Sequence, residues 1–188
     1  DGIENLKPFG LDTFDFDGTE LMVSRTGFTG DLGYELWIES EKAVALWDAL
    51  FDAGKLYGIR AIGTEALELA RIEAGFIQAY ADFLPANATV RPGRSRSPLE
   101  LGLEWLVVFK GRRALAEEKR NGSTWCLVKL DIEGNKPAHH SYIYPGNSTK
   151  KHIGFITSAA WSPVCKQNIA LGTVRTPHGK TGEKLQVE

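Results

Sequence analysis

Apolar residues in the first part of the chain follow the spacings of short strands. Residues 14–25 contain the turn pair Asp17-Gly18 ahead of the apolar run 21–23, which predicts a β-hairpin. The aromatic-rich run 34–38 is a further strand candidate. On that strand, side chains alternate between two faces, so we expect Glu35 to lie opposite the face used by its apolar neighbours.

Two helices are predicted after these strands. Apolar positions between 41 and 53 recur at helical spacing, with Ser40 as the expected N-cap and Gly54 as the residue that closes the helix. A second helix is predicted over 64–74, and the short run 59–62 between the two is a strand candidate. Strands alternating with helices indicate an α+β or α/β layer, whose strand pairing the pattern leaves open.

The pattern changes in the second half of the chain. Residues 86–98 are rich in Pro, Gly, Ser and Arg and predict a basic loop, and residues 112–120 predict a helix. After residue 123 the apolar runs become short and are separated by turn residues, which indicates a mostly β domain. We therefore predict two domains, 1–122 and 123–188. The strands expected in the second domain are 125–132, 141–144, 153–157 and 168–174.

Composition narrows the class of protein. The 188 residues are 43% hydrophobic and carry a formal net charge of −2, which argues against a disordered chain and against a dedicated nucleic-acid binder. We expect neither a signal peptide nor a membrane-spanning segment. The two cysteines, Cys126 and Cys165, indicate neither a metal cage nor a disulfide scaffold, and favour a cytoplasmic protein without a metal.

Local motifs leave several interpretations open. The string from Phe14 to Thr19 resembles the nucleophile loop of haloacid-dehalogenase-like phosphatases, but a solvated hairpin turn is favoured because no second acidic pair follows in a suitable place. The spacing of Gly27, Gly30 and Gly33 does not match a phosphate-binding loop and favours a tight loop between strands. From pattern alone, Glu35 is an exposed strand residue or a ligand acceptor, and Trp105 is a core residue more often than a ligand platform.

Longer strings resemble the tetrahydrofolate-dependent aminomethyltransferase family, typified by the glycine-cleavage T-protein. They occur in the order of the family and comprise residues 24–35, 69–75, 97–105 and 153–158, the last continuing through 162–163 and 168–172. The resemblance implies the C-terminal portion of a ring-like three-domain protein. Its expected fold is α+β: an incomplete ferredoxin-like layer, without the N-terminal half of the folate-binding region, followed by a small β-barrel domain that is incomplete at its end. Tetrahydrofolate is the expected cofactor.

The resemblance also implies site residues. Glu35 matches the family glutamate that binds the pterin, and a carboxylate can accept two parallel N–H bonds from that ring. Trp105 matches a tryptophan that lines the folate. Phe28 and Phe76 fall where relatives place aromatic residues against the folate.

The chain departs from the family pattern at several positions. Leu67 and Glu68 replace an Arg-Asp pair that helps to hold the folate tail, and one hypothesis is that a loop with Arg91, Arg94 and Arg96 replaces it. The connection around residues 109–111 is shorter than in the family. Tyr34 stands where T-proteins commonly have an apolar residue. With this tyrosine and the basic insertion, the chain resembles folate-dependent O-demethylases of methoxylated aromatic acids. If it catalyses that reaction, Tyr34 is a candidate proton donor to the leaving phenolate.

These resemblances predict part of a tetrahydrofolate-dependent one-carbon transferase that moves a methyl group from a methoxylated aromatic acid. The alternative is a glycine-cleavage aminomethyltransferase, which needs a lipoyl-carrier protein as partner. A non-catalytic folate-binding protein and a folate module of a flavin-dependent demethylating dehydrogenase also remain open. In every case we expect a small-molecule ligand and neither nucleic acid nor membrane as partner, and we expect the chain alone to be inactive.

Overall fold

The computed structural model describes residues 2–91, 93–106 and 111–188. Its packing divides the chain into two compact units, Asp1–Ala74 and Gly75–Glu188. Both helices and strands are well represented, so the predicted α+β class is confirmed. The domain boundary near residue 123 rests on the sequence pattern and stays a prediction, and the shortened connection at 109–111 lies largely outside the described residues.

Three antiparallel strands form the sheet of the first unit. They are β1 (Leu11–Phe16), β2 (Thr19–Ser24) and β3 (Glu35–Trp37), in that order across the sheet. Asp17 and Gly18 join β1 to β2 and both have positive φ, 52° and 74°. Two such residues make the tight turn that matches the twist of a hairpin, so the predicted hairpin is confirmed.

Two helices complete this unit, α1 (Ala43–Gly54) and α2 (Thr64–Ala74). Leu46 of α1 is buried with Leu21 and Val23 of β2, which forms the centre of a small apolar core. Two local predictions are wrong. Ser40 opens a short 3-10 turn and makes no capping hydrogen bond to α1. Residues 59–62 form no strand, because they do not join the three-stranded sheet, and a lone strand leaves its backbone groups unpaired.

Five antiparallel strands form the curled sheet of the second unit, in the order β4-β7-β6-β5-β8. A helix, α3 (Arg112–Asn121), precedes them, as predicted. All four predicted strands are present. Only β8 was missed, because its three residues are too few to show a pattern. The bounds are β4 (Trp125–Ile132), β5 (Tyr142–Pro145), β6 (Gly154–Ser162), β7 (Gln167–Arg175) and β8 (Leu185–Val187).

A buried carboxylate ties a loop of the second unit to its sheet. Asp82 is 5% exposed. Its Oδ1 accepts hydrogen bonds from the Thr157 hydroxyl at 2.5 Å and the Ser158 hydroxyl at 2.7 Å. Its Oδ2 accepts one from the backbone N–H of Gln78 at 2.9 Å. The two hydroxyls come from the irregular stretch of β6 where its register with β7 shifts. Because buried carboxylates need such partners, this contact fixes the position of the loop.

The described part of the chain contains no helix that is long and apolar enough to cross a membrane.

Candidate functional site

Glu35 is the first residue of β3 and pairs with Ser24 of β2 across the antiparallel ladder. The alternation along the strand turns Leu36 toward the apolar core and leaves Glu35 and Trp37 exposed. Glu35 and Leu36 therefore lie on opposite faces of the strand, as predicted. An exposed carboxylate on a paired strand has a fixed backbone and a side chain that a ligand can reach.

A threonine hydroxyl holds this carboxylate. The Thr26 Oγ1 donates a hydrogen bond to Glu35 Oε2, and the Ser24 and Thr26 hydroxyls are 2.5 Å apart. Among the described residues, Glu35 Oε1 has no partner in the protein. A carboxylate offers about four lone-pair positions. The group is thus oriented by Thr26 and keeps acceptor capacity for a ligand with N–H donors.

A glycine loop joins β2 to β3 beside this carboxylate. Gly30 has φ of 84°, and a Cβ there would lie 2.8 Å from the Ala74 Cβ at the end of α2. Gly27 and Gly33 also approach closely, since a Cβ on either one would lie 3.3 Å from the other's Cα. These contacts require residues without side chains, so the predicted tight loop is confirmed. Phe28 lies on this loop and is half-buried.

Tyr34 follows the glycine loop and immediately precedes β3. Its side chain is 38% exposed. Tyr34, Glu35 and Phe28 therefore all belong to the first unit, on or next to one loop. Whether Tyr34 donates a proton stays a prediction.

Trp105 and Phe76 belong to the second unit. Trp105 lies in the 3-10 turn Glu104–Leu106 and is 72% exposed, so the pattern-based expectation of a core residue is wrong. The short apolar run around it resembled a buried segment, but a turn of this length cannot bury every side chain. Phe76 directly follows α2 and Gly75 and is 38% exposed. Both aromatic rings are accessible, and their contact with folate stays a prediction.

Helix α2 carries Leu67 and Glu68, the positions at which the resemblance predicts the loss of the family Arg-Asp pair. Glu68 accepts hydrogen bonds from two nitrogens of Arg71, whose side chain is completely buried; the Nε bond to Oε2 is 3.0 Å long. A bidentate pair of this kind holds both groups. Glu68 therefore pairs with a residue of its own helix. The exposed Leu67 beside it offers no charge to a carboxylate ligand.

A cavity of about 740 Å³ lies within the second unit. Three arginines line it: Arg94 and Arg96 from the basic loop, and Arg175 from the end of β7. The guanidinium carbons of Arg96 and Arg175 each lie 4.5 Å from the centre of the Trp125 ring. The sequence pointed to the loop but missed Arg175 and Trp125, because only the pairing of β4 with β7 sets these two residues opposite each other. We call this cavity the arginine pocket.

The Cys126 thiol is held in an environment that lowers its reactivity. The Cys126 thiol donates a hydrogen bond to the His178 carbonyl at 3.2 Å, and burial, with a further effect of Glu183, raises its pKa. A raised pKa keeps the sulfur protonated and a poor nucleophile. Within the described ranges, no three His, Cys, Asp or Glu side chains are grouped so that they could hold a metal ion.

Two family models match the chain. The GCVT N-terminal domain model matches residues 3–111, and the glycine cleavage T-protein C-terminal barrel domain model matches residues 126–188. The chain belongs to the glycine-cleavage T-protein family. Members of this family use tetrahydrofolate as the one-carbon acceptor. The predicted resemblance is thus confirmed, and so is the predicted fold, an α+β portion followed by a β-barrel domain.

Two curated relatives of this chain carry different names. An aminomethyltransferase of Halothermothrix orenii is 34% identical over 190 residues, which cover 98% of this chain and 50% of that protein. The trimethylamine-oxide aldolase of Ruegeria pomeroyi is 36% identical over 181 residues, covering 92% of this chain and 21% of that protein. The chain thus spans about half the length of the aminomethyltransferases it matches.

A solved structure supports the fold. The glycine cleavage system aminomethyltransferase T from Bartonella henselae superposes with a TM-score of 0.76 and is 23% identical, covering 89% of this chain and 45% of that one.

Proposed function

We propose that this chain is a folate-binding portion of a tetrahydrofolate-dependent aminomethyltransferase, with Glu35 as the acceptor for the pterin ring. The observation that carries the proposal is the oriented carboxylate: one oxygen of Glu35 is bonded to Thr26 and the other is open to a ligand. Tetrahydrofolate presents adjacent N–H donors on its pterin, which match a carboxylate in the bidentate manner. The family assignment supplies the ligand class, and the geometry supplies the residue.

The chain's own residues would bind and position the cofactor. The resemblance to the family implies that Phe28, Phe76 and Trp105 contact folate, and aromatic rings of this kind offer flat apolar surfaces for the pterin and aminobenzoate rings. Fixing tetrahydrofolate in one orientation turns the encounter with a one-carbon donor into a directed transfer, which accounts for much of the rate enhancement in two-substrate reactions. In the aminomethyl reaction the folate takes up a methylene group, ammonia leaves, and a lipoyl-carrier protein delivers the donor.

The names of the relatives favour this reaction over aryl methyl ether demethylation. The O-demethylase interpretation depends on Tyr34 and the basic insertion, whereas neither aminomethyltransferase nor trimethylamine-oxide aldolase acts, by its name, on an aryl ether. The substitution of Leu67 for the family arginine still sets this chain apart from typical T-proteins. Its one-carbon donor therefore needs a direct comparison.

A second candidate is a folate module of an amine-degrading enzyme. The observation in its favour is the 36% identity to a trimethylamine-oxide aldolase, in which the matching segment is only 21% of the protein. A segment like this one therefore occurs within a much longer polypeptide. Such a module would accept a one-carbon unit released from a methylated amine.

The test incubates the full-length protein with tetrahydrofolate and one donor at a time, and identifies the folate product by mass. The donors are an aminomethylated lipoyl-carrier protein, trimethylamine oxide and a methoxylated benzoate. Methylenetetrahydrofolate with release of ammonia from the first donor supports the proposal. The same folate product from the amine oxide supports the second candidate. Methyltetrahydrofolate and a phenol from the benzoate would overturn both and restore the O-demethylase interpretation.

A further inference from the structure

The charged side chains that line the arginine pocket are mostly positive. Arg94, Arg96 and Arg175 line it together with a single carboxylate, Asp82. The oxygens of Asp82 already accept hydrogen bonds from Thr157, Ser158 and Gln78. The lining therefore has an excess of guanidinium groups that Asp82 does not pair.

The three arginines have different tasks. Arg96 is bound to the protein, since its Nη1 donates to the Ser95 carbonyl at 3.1 Å and its Nε donates to the Thr173 hydroxyl at 3.4 Å. Arg94 and Arg175 are exposed, and among the described residues neither side chain has a hydrogen-bond or ion-pair partner. Arg96 thus shapes the pocket, while Arg94 and Arg175 have donors left for a ligand.

Like charges in the pocket repel one another. Burial lowers the pKa of the Arg96 guanidinium, and the charges of Arg175 and Arg94 lower it further against the opposing effect of Glu100. An anion between these groups would relieve that repulsion, and each guanidinium can hold a carboxylate through two parallel hydrogen bonds.

The rest of the lining suits an organic ligand. Tyr142 and His152 stack with their ring centres 4.7 Å apart, and Phe155 meets Trp125 edge to face at 6.4 Å. All four rings line the cavity, whose volume of about 740 Å³ far exceeds that of a single small ion. A chain with methylene groups can cover these rings, which an inorganic polyanion would leave facing water.

We propose that the arginine pocket binds an organic anion with two or more carboxylates separated by methylene groups. Two sources present this chemistry: the γ-linked glutamate tail of a folate, and a free polycarboxylate. The pocket lies wholly within Gly75–Glu188, so this proposal does not depend on the pterin site at Glu35. Arg113 and Arg120, which are exposed on α3, do not line the pocket and serve as control positions.

The experiment titrates tri-γ-glutamate, tricarballylate and tripolyphosphate separately into the full-length protein by calorimetry. The test variant is R94E/R175E, and the control R113E/R120E changes the net charge equally at positions outside the pocket. Because charge-assisted hydrogen bonds are lost, we expect R94E/R175E to weaken carboxylate binding about tenfold or more, and the control to weaken it about twofold or less. Circular dichroism checks that both variants are folded.

Each outcome decides for or against the proposal. Tighter binding of tri-γ-glutamate, with pteroyl-triglutamate preferred over pteroyl-monoglutamate, supports it with the folate tail as the source. Tighter binding of tricarballylate supports it with a free polycarboxylate as the source. Tripolyphosphate binding at least as tightly as both, equal losses in the two variants, or binding of neither carboxylate would overturn it. The Glu35→Gln variant tests only the pterin site, and its effect on tetrahydrofolate binding does not change the result of this titration. The two proposals can therefore fail separately.

Discussion

The Thr26 hydroxyl orients the Glu35 carboxylate. Thr26 donates to one of its oxygens and is itself within hydrogen-bond distance of Ser24. The sequence could point to Glu35 because the glutamate lies in a family motif. It could not reveal Thr26 as its partner, because the contact depends on how the glycine loop returns the chain to β3.

Replacing Thr26 by Val removes the donor while keeping the shape of the side chain. We expect tetrahydrofolate to bind about three- to tenfold more weakly, since a hydrogen bond contributes about 0.5–1.5 kcal/mol net. The measurement is the Kd by fluorescence titration. Thr26→Ser, which retains the hydroxyl, should restore the affinity, and Thr13→Val on exposed β1 should leave it unchanged. Equal affinity of the Thr26→Val and Thr13→Val variants would contradict the role of Thr26.

At the scale of elements, the glycine loop between β2 and β3 is the part whose conformation matters most to the site. The spacing of its glycines predicted a tight loop, but the reason for each glycine appears only in three dimensions. Gly30 faces Ala74 of α2, and this contact is invisible to a pattern that spans a few residues.

Gly30→Ala tests that contact. The new Cβ meets both an unfavourable backbone conformation and the Ala74 side chain, so we expect a loss of about 2–4 kcal/mol in the free energy of unfolding. Gly18→Ala is the matched control, because φ there is also positive but nothing lies within 4 Å of the added Cβ. It should lose only about 1 kcal/mol. Urea unfolding measures both, and equal losses would show that packing against Ala74 contributes nothing.

The turn between β7 and β8 depends on a second carboxylate. Glu183 accepts hydrogen bonds from His178 Nδ1 at 2.7 Å and the Gly179 amide at 2.8 Å. The bond to His178 is the main reason that the pKa of Glu183 lies below its usual value of 4.5. A lowered pKa in the folded state means that the ionised form stabilises the fold at pH values above 4.5, and that this contribution disappears as the pH falls through the lowered pKa.

We therefore expect Glu183→Gln to lower the melting temperature at pH 7 and to lower it less at pH 3. Thermal unfolding of the variant and the parent at both pH values measures the difference. Glu133→Gln, at an exposed position outside this network, serves as the control. If Glu183→Gln lowers the melting temperature as much at pH 3 as at pH 7, the ionised form of Glu183 is not what stabilises the fold.

At the scale of the molecule, the helix α1 was predictable from apolar residues at helical spacing, and the strands from β4 to β7 from short apolar runs separated by turn residues. The 3-10 turn at Trp105 and the short β8 were not, since a few residues carry no period. The arginine pocket shows the same limit for function. Its loop was visible as a basic run, whereas Arg175 and Trp125 join it through strand pairing.

The proposed function rests on the family rather than on the fold alone. The matched family models indicate folate chemistry, and the oriented carboxylate supports the proposal that Glu35 accepts the pterin. We expect the choice of one-carbon donor to depend on the positions that are predicted to differ from typical T-proteins, namely Leu67, the basic loop and Tyr34. These are the positions at which a comparison of donors is most informative.

The most direct test of the account is the affinity of the full-length protein for tetrahydrofolate with Glu35→Gln and Glu39→Gln compared side by side. Glutamine keeps the size of the side chain but replaces one acceptor oxygen by an N–H donor that opposes the pterin donors. The account predicts that Glu35→Gln weakens binding about tenfold or more, and that the exposed, nearby Glu39→Gln leaves it unchanged. Equal affinities of the two variants would contradict the assignment of Glu35 as the pterin acceptor.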